Sequence, residues 1–197
     1  MDNANAIRRS WDVLLLGGPS GVGKTRASYP LARLFDVGIT EVDDLHITLE
    51  RLTTPEQQPV LHYWRANPNA QHLSAEQIVE LHIAVSRLLG PAVEAVIVNH
   101  LETSTPIVLE GDYLLPEILA RGTGGRTKAV FLFEPDEAQI LKNLSLREPE
   151  GTVQPKRARV SWLYGQWLQA ECGRYGVSAL PARPWSTLVD RIGDAVA

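Results

Sequence analysis

Gly18-Pro-Ser-Gly-Val-Gly23-Lys24-Thr25 places three glycines, a lysine and a closing hydroxyl residue at fixed spacing. Glycines let a backbone fold so that several N–H groups converge on one centre, and a helix starting immediately afterwards adds its positive end. The product is a cradle for the phosphates of a nucleotide such as ATP. Gly18, Ser20, Gly21, Val22 and Gly23 would supply the loop, Lys24 would reach the β- and γ-phosphates, and Thr25 would hold Mg²⁺. The lysine is expected to touch phosphate rather than the core. The pattern implies phosphate binding but does not name a reaction.

Such a loop must be held between a buried strand and a helix. The apolar run Val13–Leu16 predicts a strand at the centre of a parallel sheet. Lys24–Phe35 predicts the helix, with Ala27, Leu31 and Leu34 on one face and Pro30 as a possible kink point. Ile39–Val42, "PIVLEGDYL", "TKAVFLFEP" and "VSALPA" supply four more strands. Helices are expected between them. A capping box of Ser74 and Gln77 opens one that Gly90-Pro91 should break or kink, with a continuation to about His100. Others are a short one closed by Gly122, then Asp136–Arg147, Lys156–Tyr175 and Trp185–Val196. The polar stretch between Ile47 and Gln71 reads as short helices and loops, and "EPEGTVQP" as a loop. Strand and helix alternating in this way give a single α/β domain with helices on both faces of a parallel sheet.

Composition narrows the setting. The chain has 197 residues, 44% of them hydrophobic, and a net charge of −4. It can bury a proper core and lacks the basic surplus of a general nucleic-acid binder. A lone cysteine, Cys172, excludes an internal disulfide and suits a reducing compartment. The apolar run after Arg8 and Arg9 is too short for a signal peptide or a membrane span. No other segment is expected to reach transmembrane length, so a cytoplasmic protein without a membrane partner is anticipated, as monomer or homodimer.

The segments "LLLGGPSGVGKT", "ITEVDDLH" and "VLEGDYLLP", with the basic stretch after Arg147, resemble the compact P-loop kinases of the nucleoside-monophosphate-kinase-like group. That group includes shikimate and gluconate kinases, chloramphenicol phosphotransferase and zeta toxins. "VLEGDYLLP" is also similar, over a short window, to a strand of archaeal 2-phosphoglycerate kinases. The resemblance implies a three-layer P-loop NTPase fold whose five-stranded parallel sheet has the order 2-3-1-4-5. It also implies a substrate-binding helical region near residues 46–91 and a basic lid near 147–159. The activity implied is transfer of the γ-phosphoryl group of MgATP to a hydroxyl of a small acceptor. A nucleotide kinase, or a regulatory module that binds and slowly hydrolyses ATP, are the alternatives. No guanine-specifying N-K-x-D motif is present.

Under that resemblance, one of Asp43 and Asp44 faces the acceptor hydroxyl and the other caps the following helix. Asp43, nearer the strand end, is the preferred base. Glu110 and Asp112 occupy a Walker-B-like position. Glu110 is preferred for the metal, Asp112 is a second metal candidate that can face substrate, and Gly111 would allow a ligand to approach the backbone. Arg147, Lys156, Arg157 and Arg159 are the lid cations, of which Arg147 and Arg157 are the catalytic candidates. Arg183 in "LPARPW" would stack on the base or touch phosphate. Trp64 could form a flat wall and Arg65 an anion clamp in the acceptor region. His72, His82 and His100 read as structural, and Trp162, Tyr164 and Trp167 as helical packing.

Overall fold

Five strands make the frame: β1 (Val13–Gly17), β2 (Gly38–Glu41), β3 (Ile107–Gly111), β4 (Thr127–Phe133) and β5 (Ser178–Pro181). The computed structural model describes residues 9–120, 125–151 and 154–197. Neighbouring strands are parallel throughout, in the order β2-β3-β1-β4-β5. β1, which carries the glycine loop, is therefore central, with β3 and β4 on either side.

Successive residues of a covered strand enter opposite cores. Val13 and Leu15 of β1 join Ile107, Leu109 and Phe131 on one face. Leu14 and Leu16 join Val108, Val130 and Leu132 on the other. The first face is covered by α4 (Ala75–Thr103) and α7 (Gln154–Tyr175), the second by α1 (Lys24–Phe35) and α8 (Leu188–Val196). Between these lie α2 (Val42–Leu52), α3 (Tyr63–Ala66), α5 (Glu117–Ala120) and α6 (Glu137–Arg147). The Gly122 expected to close α5 lies outside the described residues, as do residues 152–153 of the segment expected to form a lid.

Two expectations about helices need correction. In α1 the core stripe is Ala27, Leu31 and Phe35, four residues apart, and Leu34 is exposed. α4 is a single helix of 29 residues that runs through Gly90-Pro91 without a break. Gly90 is buried while Pro91 and Arg87 are exposed. The carbonyl that Pro91 leaves without a helical donor is that of exposed Arg87, so the break costs no buried hydrogen bond. The capping box is present: Gln77 N–H donates to Ser74 Oγ at 3.2 Å and Ser74 N–H to Gln77 Oε1 at 2.8 Å. By length and composition α4 can cross a membrane, with a mean hydropathy of 1.6 over its most apolar window. That overturns the expectation that no further segment reaches such length. Here its Val79, Val93 and Ile97 lie in the first core, and Val85 and Leu89 pack with Leu61.

Candidate active site

Residues 18–23 turn tightly between β1 and α1. Gly18 and Gly23 have φ of 137° and 98°, a region open to glycine but strained for other residues. A Cβ at Gly18 would also collide with the Leu132 carbonyl oxygen. α6 steadies the loop through Asn143, whose Nδ2 donates to the Gly21 carbonyl at 2.8 Å. No side chain caps α1, so its positive end is offered to the cavity above the loop.

That cavity has a volume of about 910 Å³ and contains the expected cradle residues Ser20, Gly21, Gly23, Lys24 and Thr25 on its wall. Lys24 is 6% exposed and stands on the cavity wall, outside the apolar core clusters. Its ammonium donates to the Pro19 carbonyl at 3.1 Å, forms a close ion pair with Asp112 and lies 3.9 Å from Glu110. Two carboxylates therefore face this buried ammonium. Thr25 Oγ1 donates to Glu110 Oε2 at 3.2 Å. Burial pushes the Glu110 carboxyl above its ordinary value. Gly111 serves packing rather than ligand approach, since a Cβ there would stand 2.8 Å from Val42 Cβ.

Asp43 and Asp44 fall in the first turn of α2, but the N-cap is Glu41 and no side chain bonds there. Neither aspartate is the cap. Both instead lie where the helix dipole favours negative charge. Asp43 lines the cavity and Asp44 does not. Burial in the cleft, followed by the charge of Asp112, pushes the Asp43 carboxyl up to about 6.

The basic residues separate by position. Arg147, Arg157 and Arg183 line the cavity. Arg147 Nη2 donates to Ser20 Oγ at 3.3 Å. Glu148 joins Arg147 to Arg157, accepting from Arg147 Nε at 3.1 Å and Arg157 Nη2 at 3.2 Å. Those bonds, Arg157's foremost, hold its carboxyl down at about 2. Arg159 turns away, donating to Glu137 at 3.0 Å and stacking over Trp162. Arg183 makes a two-pronged pair with buried Glu134 at 2.6 and 2.7 Å. Beside it Trp185 lies under Arg26, 4.2 Å from guanidinium carbon to ring centroid.

A second cavity, of about 340 Å³, adjoins the first, and Ser20, Asp112 and Arg157 line both. Its wall includes Trp64 and Lys156. Arg65 lines neither cavity and pairs with Glu50 at 3.2 Å, so the anion clamp is not formed. Asp112 is fixed from behind. Its carbonyl accepts from Tyr164 Oη at 2.9 Å and from His82 Nε2 at 3.1 Å. A carbonyl only accepts, so His82 carries its proton on Nε2, and burial lowers its affinity for a second proton. His82 and Tyr164 belong to a row of rings, His46–Tyr113–His82–Tyr164–Trp167, with centroids 4.5–5.8 Å apart. His82 and Tyr164 thus do more than pack. Cys172 is buried behind them, its thiol pushed up to about 12 by burial.

No family model matches the chain and no curated protein matches it in sequence. Solved structures do match over nearly its whole length. A gluconokinase from Sinorhizobium meliloti 1021 is similar at TM-score 0.52 and 16% identity, covering 96% of this chain and 93% of its own. A sugar kinase from Janibacter sp. HTCC2649 gives 0.52 and 18%, covering 95% and 96%. A shikimate kinase from Acinetobacter baumannii, solved with shikimate, gives 0.51 and 13%, covering 94% and 93%. The chain has the fold of small P-loop kinases. At these identities the likeness is one of fold, and the chemistry rests on this chain's own residues.

Glu148, Glu134, Trp185, His82 and Tyr164 were not legible as site residues. Their partners are tertiary: the Asp112 carbonyl lies 30 and 52 positions from His82 and Tyr164. Only the acidic residue beside Arg147, in a loop already read as basic, gave a local signal.

Proposed function

We propose that this protein is an ATP-dependent kinase that transfers the γ-phosphoryl group of ATP to a hydroxyl of a small acceptor. The observation that carries the reading is the junction of the two cavities at Ser20, Asp112 and Arg157. A donor in the glycine cradle and an acceptor in the smaller cavity would meet there. Only positioning and charge stabilisation are then needed, because phosphoryl transfer asks little covalent chemistry of the protein.

The residues fit magnesium. Among the described residues no three His, Cys, Asp or Glu side chains form a closed metal site. What converges is a sparse oxygen set, Thr25 with Glu110, and Asp112 beside them. Magnesium takes such sets, keeping water and phosphate as its other ligands. When bound it would supply positive charge to the phosphates.

In the transfer, the acceptor oxygen forms a bond to the γ-phosphorus, the bridging P–O bond to the β-phosphate breaks, and ADP leaves. Lys24 exchanges its carboxylate partners for phosphate oxygens. Asp112, released from that pair, orients the acceptor hydroxyl. Asp43, ionised at pH 7, receives the hydroxyl proton and returns it to solvent. Arg147 and Arg157 exchange Glu148 for the charge building on the phosphoryl group. Arg183 is held by Glu134 at the cavity wall, where it offers the nucleotide a flat cation. A cytoplasmic setting with a small-molecule partner suits this reading.

A metabolite panel that includes gluconate, shikimate and nucleoside monophosphates tests the proposal. ADP release should rise with one acceptor class, with a phosphorylated product seen by mass spectrometry. ATP consumption that no acceptor stimulates would identify a slow hydrolase or binding module instead.

A further inference from the structure

The smaller cavity says what kind of acceptor it takes. Its walls are Pro19, Trp64, Ile78, Val160 and the ring of Tyr164. Several polar groups among its lining already have partners within the protein. Tyr164 Oη and His82 Nε2 both donate to the Asp112 carbonyl. Lys156 Nζ donates to the Gln71 carbonyl at 3.0 Å, and the Gln71 amide lies 3.3 Å from His72 Nε2. Arg157 is held by Glu148 and Gln154. Ser161 offers a single hydroxyl. The polar end is the junction with the cradle, at Ser20 and Asp112.

Resting on the kinase reading above, we propose that the acceptor is an alcohol or phenol on an apolar, ring-containing body, with its reactive hydroxyl at the Asp112 end. A flat ring finds Trp64 and Tyr164 as neighbours, and stacking adds to the burial of its apolar surface. A polyol would surrender water at each hydroxyl and find few replacements, losing about tenfold in affinity for each one left unpaired. The cavity's volume lies within the range of drug-sized ligand sites. The transfer keeps the same balance: the acceptor oxygen gains phosphorus, ADP departs, and the hydroxyl proton passes to Asp43.

Calorimetry with ADP and magnesium present would compare phenylpropanol and naphthylmethanol with sorbitol and glucuronate, followed by acceptor-dependent ADP release from ATP. The aryl alcohols should bind at least about tenfold more tightly than sorbitol or glucuronate and should raise ADP release. Ile78→Gln should weaken aryl-alcohol binding about tenfold and leave ADP affinity unchanged. Val160→Gln repeats the test if the first variant melts early. If sorbitol or glucuronate raises ADP release and the aryl alcohols do not, the acceptor class is overturned while the kinase reading stands. Aryl alcohols that bind but never raise ADP release, in a panel where no acceptor does, remove the kinase reading and the acceptor role with it. Unchanged aryl-alcohol binding in both wall variants places these molecules elsewhere and overturns the proposal.

Discussion

The cradle cavity and the smaller cavity share Ser20, Asp112 and Arg157 but are made differently. The floor of the cradle comes from one unbroken run, Gly18 to Thr25, whose backbone dihedrals and helix start do the work. The smaller cavity is assembled from the glycine loop, α3, α4 and α7, and side chains make its walls. Backbone binding of phosphate tolerates little change in sequence, because glycine conformations and N–H directions are fixed by geometry. An apolar wall tolerates many combinations of similar volume. The nucleotide side of such a fold is therefore recognisable at low identity, whereas the acceptor side is free to differ between relatives.

Substitutions at and around the shared boundary test this contrast. Lys24→Ala should have the largest effect, lowering turnover by about 10³-fold or more through lost transition-state charge. It should also lower thermal stability by on the order of 3 kcal/mol, because buried Glu110 and neighbouring Asp112 lose their cation. Removing Asp112 as well should return part of that stability. A fully active Lys24→Ala protein would end the kinase reading.

Asp43→Asn should reduce kcat by about 10²-fold with ADP binding retained. Wild-type activity should fall as pH drops below about 6, where Asp43 takes up its proton. The stability effect has the opposite sense. The folded carboxyl holds its proton more tightly than the ordinary value of 3.8, so its contribution is full below that value and lost as pH rises through about 6. Asp43→Asn should thus melt higher than wild type at pH 8 and match it in acid. An unshifted pH profile in Asp43→Asn, with kcat intact, would take the proton-acceptor role from this residue.

Arg157→Ala should cost about thirtyfold in kcat, below the full loss of a preorganised donor, because Arg157 first has to leave Glu148. Arg159→Ala should leave kcat within a factor of about two, as expected of an exposed ion pair. Equal losses from the two would mean that the orientations seen here do not persist during turnover.

His82→Ala should cost less than Arg157→Ala, about tenfold in kcat through a displaced Asp112, with KM for ATP unchanged. His82→Gln, which retains a donor, should recover most of it. If the glutamine variant is no better than alanine, ring packing rather than the hydrogen bond fixes Asp112.

Much of the fold was legible because continuous apolar runs and a local phosphate motif are short-range signals. Val13–Leu16 stood out as a continuous apolar run, and the helix after Lys24 followed from spacing. The unbroken α4 was not, since Gly90-Pro91 reads as a stop unless one knows that the residue four positions back, Arg87, is exposed. The fixing of Asp112 by His82 and Tyr164 was not legible either, because nothing near either residue announces a partner that distant. Arg147 and Arg157 were marked as cation candidates by their charge and by the kinase resemblance, and both stand on the cavity wall. Their separation from Arg159 depends on which way each side chain leaves its helix, and sequence does not carry that.

The row of rings from His46 to Trp167 has an optical consequence. Tyrosine and tryptophan locked at fixed angles inside a chiral framework, such as Tyr164 and Trp167 with interplanar angle 12°, couple their electronic transitions and generate near-ultraviolet circular dichroism. The row passes directly behind Asp112, whose carbonyl accepts from His82 and Tyr164. A shift of that aspartate on nucleotide or acceptor binding should therefore tilt these rings and change the signal. The molecule thus carries its own unlabelled spectroscopic reporter, placed where the two cavities meet.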